Sequence, residues 1–256
     1  NGARTVEDLD RYFRSAMPIE EVGKADVSRN GLQVGQRDAE VGKAVFAVDA
    51  CMETFARAEE AGADLLFVHH GLFWGKPVAV TGEHYRRIEH LITRGIALYA
   101  SHLPLDMQPE FGNNAGIARE LGLAETAPFG DYHGISIGLQ GRLPDPLDMD
   151  GVLERMGLSR DSALGLLPFG KERIERVAVI SGGADKEVEQ AMSAGVDLYI
   201  TGELSHQVYH TCLEGEINLI AGGHYKTETY GPRLLAEKCG KDTGIETEFV
   251  DVPTGL

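Results

Sequence analysis

An internal repeat limits the folds open to this chain. The segment from Lys43 to Gly71, KAVFAVDACMETFARAEEAGADLLFVHHG, shares its grammar with Glu175 to Glu203, ERVAVISGGADKEVEQAMSAGVDLYITGE. In each, a β-branched run (Val45 to Val48; Val177 to Ile180) leads through a loop into a helical stretch. That stretch keeps small or apolar residues on one face: Phe55, Ala58 and Ala61 in the first copy, Val188, Ala191 and Ala194 in the second. Ala-Gly-x-Asp follows, then a second apolar strand, LLFV or LYI. Strands alternating with helices of about ten to fifteen residues read as βαβ units with mostly parallel pairing.

The correspondence continues downstream. GIALYASHLPLD closes one copy and INLIAGGHYKTE the other, each giving a strand, a histidine and a carboxylate four residues on: His102 with Asp106, His224 with Glu228. A helix is expected after each pair, over NNAGIARELG and over GPRLLAEKCG, the latter with Pro232 in its first turn. The stretch from about 127 to 170 differs: YHGISIGLQGRL alternates like a strand, DMDGVLERMGL reads as a short helix, and two PFG turns bracket the whole. The expected organisation is an α/β chain of two similar halves, 1–126 and 127–256, the second carrying the 127–170 insert.

Parallel α/β sheets gather ligands beyond the carboxyl ends of their strands. His69 and His70 follow LLFV, His102 and Asp106 follow IALYA, and His224 and Glu228 follow NLIAG. All six fall at such positions. Histidine with carboxylate and no cysteine is the donor set of a divalent ion such as Zn, Mn, Fe, Co or Ni. The adjacent His69 and His70 pose a problem, because neighbours on a strand point to opposite faces. If the strand ends at Val68, the two imidazoles diverge and each can serve one ion of a binuclear pair roughly 3.5–4 Å apart. Asp106 or Glu228 would then bridge the ions, each of which keeps an open position for water or substrate. His84, His90, His133, His206 and His210 show no such pattern and are expected at the surface or behind the site. Gly222-Gly223 and SGG at Ser181 to Gly183 are weak signals for a phosphate-binding loop. Neither a G-x-S-x-G elbow nor a GxxxxGK[ST] loop is present.

Composition narrows the function classes. The formal net charge of −16 argues against general nucleic-acid or anionic-membrane binding, which needs clustered Lys and Arg. A small cationic patch for a nucleotide-sized ligand stays open. The three cysteines, Cys51, Cys212 and Cys239, form no CxxC, which points to a reducing cytoplasm without structural disulfides. No apolar run reaches eighteen residues and no leader pattern opens the chain. The first residue, Asn1, is not methionine, as after processing or engineering.

At NGLQVG, HHG, SHLPLD with GNN, TGE and GGHYKTETYG, the sequence resembles the NIF3-like family (NGG1p-interacting factor 3-like), also labelled GTP cyclohydrolase 1 type 2. The resemblance spans nearly the whole chain. It implies two interlinked, pseudo-symmetric α/β domains and two divalent metal ions per chain. A toroidal homohexamer around a central cavity is implied as well. Carried over motif by motif, the metal ligands fall on His69, His70, Asp106, His224 and Glu228. His102 would stand beside the metals as a supporting group or proton carrier. Glu203 of TGE takes the place that His70 holds in the first copy and becomes the candidate general base. Two departures stand out: His206 in TGELSHQ where an acidic residue is expected, and Gly71 where many members carry proline.

The resulting expectation is a metal-dependent hydrolase acting on a small nucleotide-like or phosphorylated substrate, a GTP ring-opening reaction being one version. The alternative is a non-enzymatic metal-containing scaffold, a metal or cofactor chaperone, or a partner of regulatory proteins. A cofactor-assembly role lies between the two.

Overall fold

The computed structural model describes residues 3–256, which form two compact α/β units. One unit comprises the chain up to Gln108 together with Gly231–Val252. The other comprises Pro109–Tyr230 with Pro253–Leu256.

The first unit contains β1 (Arg4–Thr5), β2 (Gly31–Val34), β3 (Glu40–Val41), β4 (Lys43–Asp49), β5 (Leu65–His70) and β6 (Ala97–Ala100). β1 and β3 form a small antiparallel pair. β4, β5 and β6 lie parallel in the order β4-β5-β6, and β2 closes that edge antiparallel to β6. Both sheet faces are covered, which explains why these strands read as unbroken apolar runs. On one face Val45, Ala47, Leu66, Val68, Leu98 and Ala100 meet Phe55 and Ala58 of the helix Met52–Glu60 and Leu91 of the helix Gly82–Thr93. On the other, Phe46, Phe67 and Tyr99 form an aromatic cluster with Phe13 of the helix Val6–Ala16, with ring centroids 4.8 Å (Tyr99) and 5.0 Å (Phe67) from Phe13. Thr5 and Asp8 cap that helix reciprocally in a capping box. Fully burying each of these large side chains contributes roughly 1.5–3 kcal/mol.

The second unit contains β7 (Ala124–Tyr132), β8 (Ile135–Leu147), β9 (Gly165–Pro168), β10 (Ile174–Val179), β11 (Leu198–Thr201) and β12 (Asn218–Ala221). β10, β11 and β12 are parallel. β8 pairs antiparallel with β10 and β7 with β8 on one side, and β9 with β12 on the other. After the helix Tyr230–Thr243, β13 (Glu246–Phe249) joins the first unit's sheet parallel to β4.

The repeated Ala-Gly-x-Asp does the same two jobs in both units. Gly62 and Gly195 end their helices at φ +77° and +72°, a region open to glycine at little cost. Asp64 Oδ2 accepts the amides of Gly42 and Lys43 at 2.8 and 3.1 Å, tying down the start of β4. Asp197 Oδ2 accepts those of Glu175 and Arg176 at 3.0 and 2.9 Å at the start of β10.

Three expectations change. The division falls at Gln108–Pro109 rather than near residue 126, and neither unit is one continuous segment, because β13 is hydrogen-bonded to β4. The first PFG is part of β7 rather than a turn: Pro128 pairs with Leu139 and Phe129 with Gly138. Proline is tolerated there because β7 is an edge strand. Finally, β5 does not stop at Val68 but runs through His70, which pairs with Asp49 of β4.

Candidate metal-binding site

Because β5 continues to its second histidine, strand alternation still holds. His69 continues the face of Phe67, and His70 continues that of Leu66 and Val68. The two rings nevertheless lie 4.7 Å apart between centroids, and each Nδ1 faces an oxygen of a different neighbouring segment. His69 Nδ1 is 3.0 Å from the Ser101 carbonyl, just past β6, and His70 Nδ1 is 2.7 Å from Asp49 Oδ1 at the end of β4.

His102 joins them. Its ring centroid lies 5.1 Å from that of His69 and 5.7 Å from that of His70. One ligand nitrogen from each of the three histidines lies within 4.8 Å of the others. The loop Asp26–Asn30 clamps His102: Asp26 Oδ1 sits 2.9 Å from His102 Nδ1, and Asn30 Oδ1 accepts the His102 amide at 2.8 Å. Asp26 is buried and also accepts from Ser28 N, Asn30 Nδ2 and Leu103 N. Burial raises its pKa, but the hydrogen bonds and the His102 charge outweigh that and hold it below the usual carboxylate value. The short helix Leu103–Met107, with proline in its first turn, carries Asp106. Asp106 is buried, with Oδ1 3.4 Å from His69 Nε2.

In the second unit, His224 opens the one-turn helix His224–Thr227 after β12. Its Nδ1 lies 2.7 Å from Glu203 Oε1 and its Nε2 3.1 Å from Glu228 Oε2. Glu228 is buried and Glu203 exposed. The His-x3-carboxylate motifs are not in identical register. His102 is the residue before its helix and His224 the first residue within its own.

All four site histidines share one arrangement: Nδ1 faces an oxygen, from Ser101, Asp49, Asp26 or Glu203. A proton on Nδ1 directed at an acceptor fixes the tautomer and leaves Nε2 as the ligating nitrogen, the pattern of metal-binding histidines with supporting carboxylates. In each unit the donors are histidine nitrogens and a carboxylate with no thiolate, Asp106 in the first and Glu228 in the second, a set that fits a first-row divalent ion.

The remaining histidines do other work. His90 pairs with Glu59 at 3.1 Å, and His84 packs edge-on against Phe73 at 5.2 Å. Among the described residues, neither these nor His133, His206 and His210 enter a ligand group. Phe73 and Trp74, adjacent in sequence, separate in role. Phe73 packs against the core, whereas the Trp74 ring stands 5.1 Å from His102 and 6.1 Å from His70 and walls the histidine cluster. The Gly71 departure has a steric basis: a Cβ there would lie 2.4–2.7 Å from the Gln33 side-chain amide. That amide accepts Leu72 N at 2.7 Å and donates to Arg29 O at 2.8 Å. Nothing in the structure explains His206, which is exposed.

Asp26 and Asp49 escaped the motif reading because each acts on a histidine 76 or 21 residues away. The only sequence signal was weak, an aspartate at the end of a strand run and another just ahead of NGLQVG.

Fold and side chains together define a mixed α/β protein with a histidine–carboxylate site able to hold a divalent metal ion. Residues 4–254 match the profile of Duf34/NIF3 (NGG1p interacting factor 3), and the chain belongs to that family. It is 44% identical to a protein of Treponema pallidum over 98% of this chain and 100% of the relative. It is likewise 44% identical to one of Archaeoglobus fulgidus over 100% of both. Each relative is named GTP cyclohydrolase 1 type 2 homolog. Among solved structures, TTHA1606 from Thermus thermophilus superposes with a TM-score of 0.87 at 39% identity, covering 99% of this chain and 100% of that one. The protein ybgI gives 0.88 at 31% identity, with 99% and 100% covered. No helix among the described residues is long and apolar enough to cross a membrane.

Proposed function

We propose that this protein binds two divalent metal ions through His69, His70, Asp106, His224 and Glu228 and is a metal-dependent hydrolase of a small nucleotide-like or phosphorylated molecule. The observation that carries this reading is the shared orientation of the histidines, each with Nδ1 facing an oxygen, while His69 Nε2 lies 3.4 Å from Asp106 and His224 Nε2 3.1 Å from Glu228.

A bound ion would supply a water acidified toward a pKa of about 7. The chain's own groups orient and move protons. Asp26 holds His102 in one tautomer, so His102 Nε2 can take up and return a proton. Glu203 is exposed and holds His224 Nδ1 at 2.7 Å through one carboxylate oxygen, which fixes that imidazole and leaves the other oxygen to accept a proton directly as general base. Trp74 narrows the space beside His70 and His102 and limits entry of bulk water. The names of the relatives support a purine nucleotide as one substrate to test.

Metal analysis of protein purified without added metal should give close to two ions per chain. Asp106→Ala and Glu228→Ala should each lose metal while the fold survives; full metal content in both would refute the ligand assignment. Nucleotides and phosphoesters should then be screened with Mn or Zn. Turnover that disappears in His70→Ala supports a hydrolase, whereas tight binding without turnover on every compound supports a binding protein. We further propose a toroidal homohexamer, checked by light scattering, and a reducing cytoplasm as the setting, in keeping with Cys51, Cys212 and Cys239 as free thiols.

A further inference from the structure

Beyond the end of β12 the second unit contains a cavity of about 400 Å³, a size typical of small-molecule pockets. Its walls are Leu158 and the stretch Asp161 to Leu164, Gly222 and Gly223, Tyr225, Lys226, and Pro253, Gly255 and Leu256 of the tail. Lys226 is the only cation on these walls, and it makes no ion pair among the described residues.

The glycine pair itself is not an anion cradle. Gly222 N donates to Thr201 O at 2.8 Å, Gly223 N to Gly202 O at 2.9 Å and Tyr225 N to Leu256 O at 3.1 Å, so these amides are already spent. Recognition of a negative group in this cavity falls to the Lys226 ammonium, because the Ser162 hydroxyl on the same walls is already bonded to Ser159. Lys226 also lies on the one-turn helix His224–Thr227, two residues from each of His224 and Glu228. His224 and Glu228, four residues apart, share one side of that turn and do not line the cavity, so an acidic group bound at Lys226 is linked to them through a single turn of backbone.

We infer that this cavity is a subsite for the phosphoryl group of a small phosphorylated ligand, with Lys226 as its cation. The inference rests on the proposed hydrolase reading and adds where the substrate's acidic end is held. Asp161, on the same wall, opposes an anion by like charge, so its neutralisation should strengthen binding.

Calorimetric titration at constant ionic strength tests this on full-length protein stripped with EDTA and on the same protein reloaded with Zn. The probes are inorganic phosphate, guanosine 5′-monophosphate and guanosine. Phosphate and the monophosphate should bind the stripped protein and guanosine far more weakly. Lys226→Gln should weaken both acidic probes about tenfold or more, the scale of one charge-assisted hydrogen bond, with metal content unchanged. Asp161→Asn should tighten them. Unchanged phosphate affinity in Lys226→Gln would overturn the subsite. So would phosphate binding that appears only after Zn loading and ignores the substitution, since the anion would then sit on the metal. A protein that takes up no metal yet loses phosphate through Lys226→Gln would retain the subsite and refute the metal reading instead.

Discussion

Asp49 Oδ1 lies 2.7 Å from His70 Nδ1, a bond between paired residues of adjacent parallel strands at the rim of the first unit's sheet. Asp49 orients the imidazole and, being partly exposed, contributes little to folding. Asp49→Asn should therefore lower divalent-metal affinity by about 10- to 100-fold, the usual effect of losing a supporting carboxylate. Competition against a chromogenic chelator measures this, with urea unfolding of the metal-free protein as control. Wild-type metal affinity in the variant would show that the pair is only structural.

Gly71→Ala places a methyl group where the Gln33 amide now sits. The end of Gln33 can swing aside, at the expense of its bonds to Leu72 N and Arg29 O. The expected loss is about 1–2 kcal/mol by chemical denaturation. Gln33→Ala forfeits the same bonds, so adding Gly71→Ala to it should cost almost nothing further. Additive losses in the double variant would rule out the steric account.

Asp10 anchors a second buried carboxylate network in the first unit. It accepts from Tyr99 Oη at 2.7 Å, Arg14 Nε at 2.9 Å and Arg37 at 3.1 Å. Burial raises its pKa, yet these bonds and the arginine charge prevail and hold it below the usual carboxylate value. A carboxylate whose folded pKa is depressed stabilises the fold above its unfolded pKa, and that contribution fades as pH falls through the folded value. Asp10→Asn should thus cost about 2–3 kcal/mol at neutral pH. The gap to wild type should be constant down to about pH 4 and close below it. Thermal melts across this range decide the matter, and a gap that widens on acidification would reverse the sign.

Trp74 is the sole tryptophan of the chain and stands 6.1 Å from His70 and 5.1 Å from His102. Its emission should report occupancy of the histidine cluster. Open-shell ions such as Co or Cu bound to Nε2 atoms at this range should quench it strongly, and Zn, which has a filled d shell, far less. His70→Ala and His102→Ala should blunt the Co response. Equal quenching by Co in wild type and in the double alanine variant would place the ion elsewhere.

How much of this was legible beforehand follows from the range over which each interaction acts. Local pattern sufficed for the strands around Phe46, Phe67 and Ile200, the helix carrying Phe55 and Ala58, and the long helix with Pro232, because apolar periodicity and turn chemistry span only a few residues. The candidate ligands stand out in the sequence by type and place: His69 and His70 end β5, Asp106 comes soon after β6, and His224 and Glu228 come soon after β12. Tertiary structure alone decided the rest. β5 runs on through His70 because Asp49 pairs with it. The chain returns at Glu246–Phe249 to hydrogen-bond with β4, which moves the division of the units to Gln108. Only three-dimensional proximity brings Asp26 to His102 and Gln33 over Gly71, across separations of 76 and 38 residues that no local periodicity encodes. Sequence thus determined which residue types could bind metal and on what scaffold. The packed fold determined which oxygen holds each imidazole, and with it which nitrogen each histidine offers.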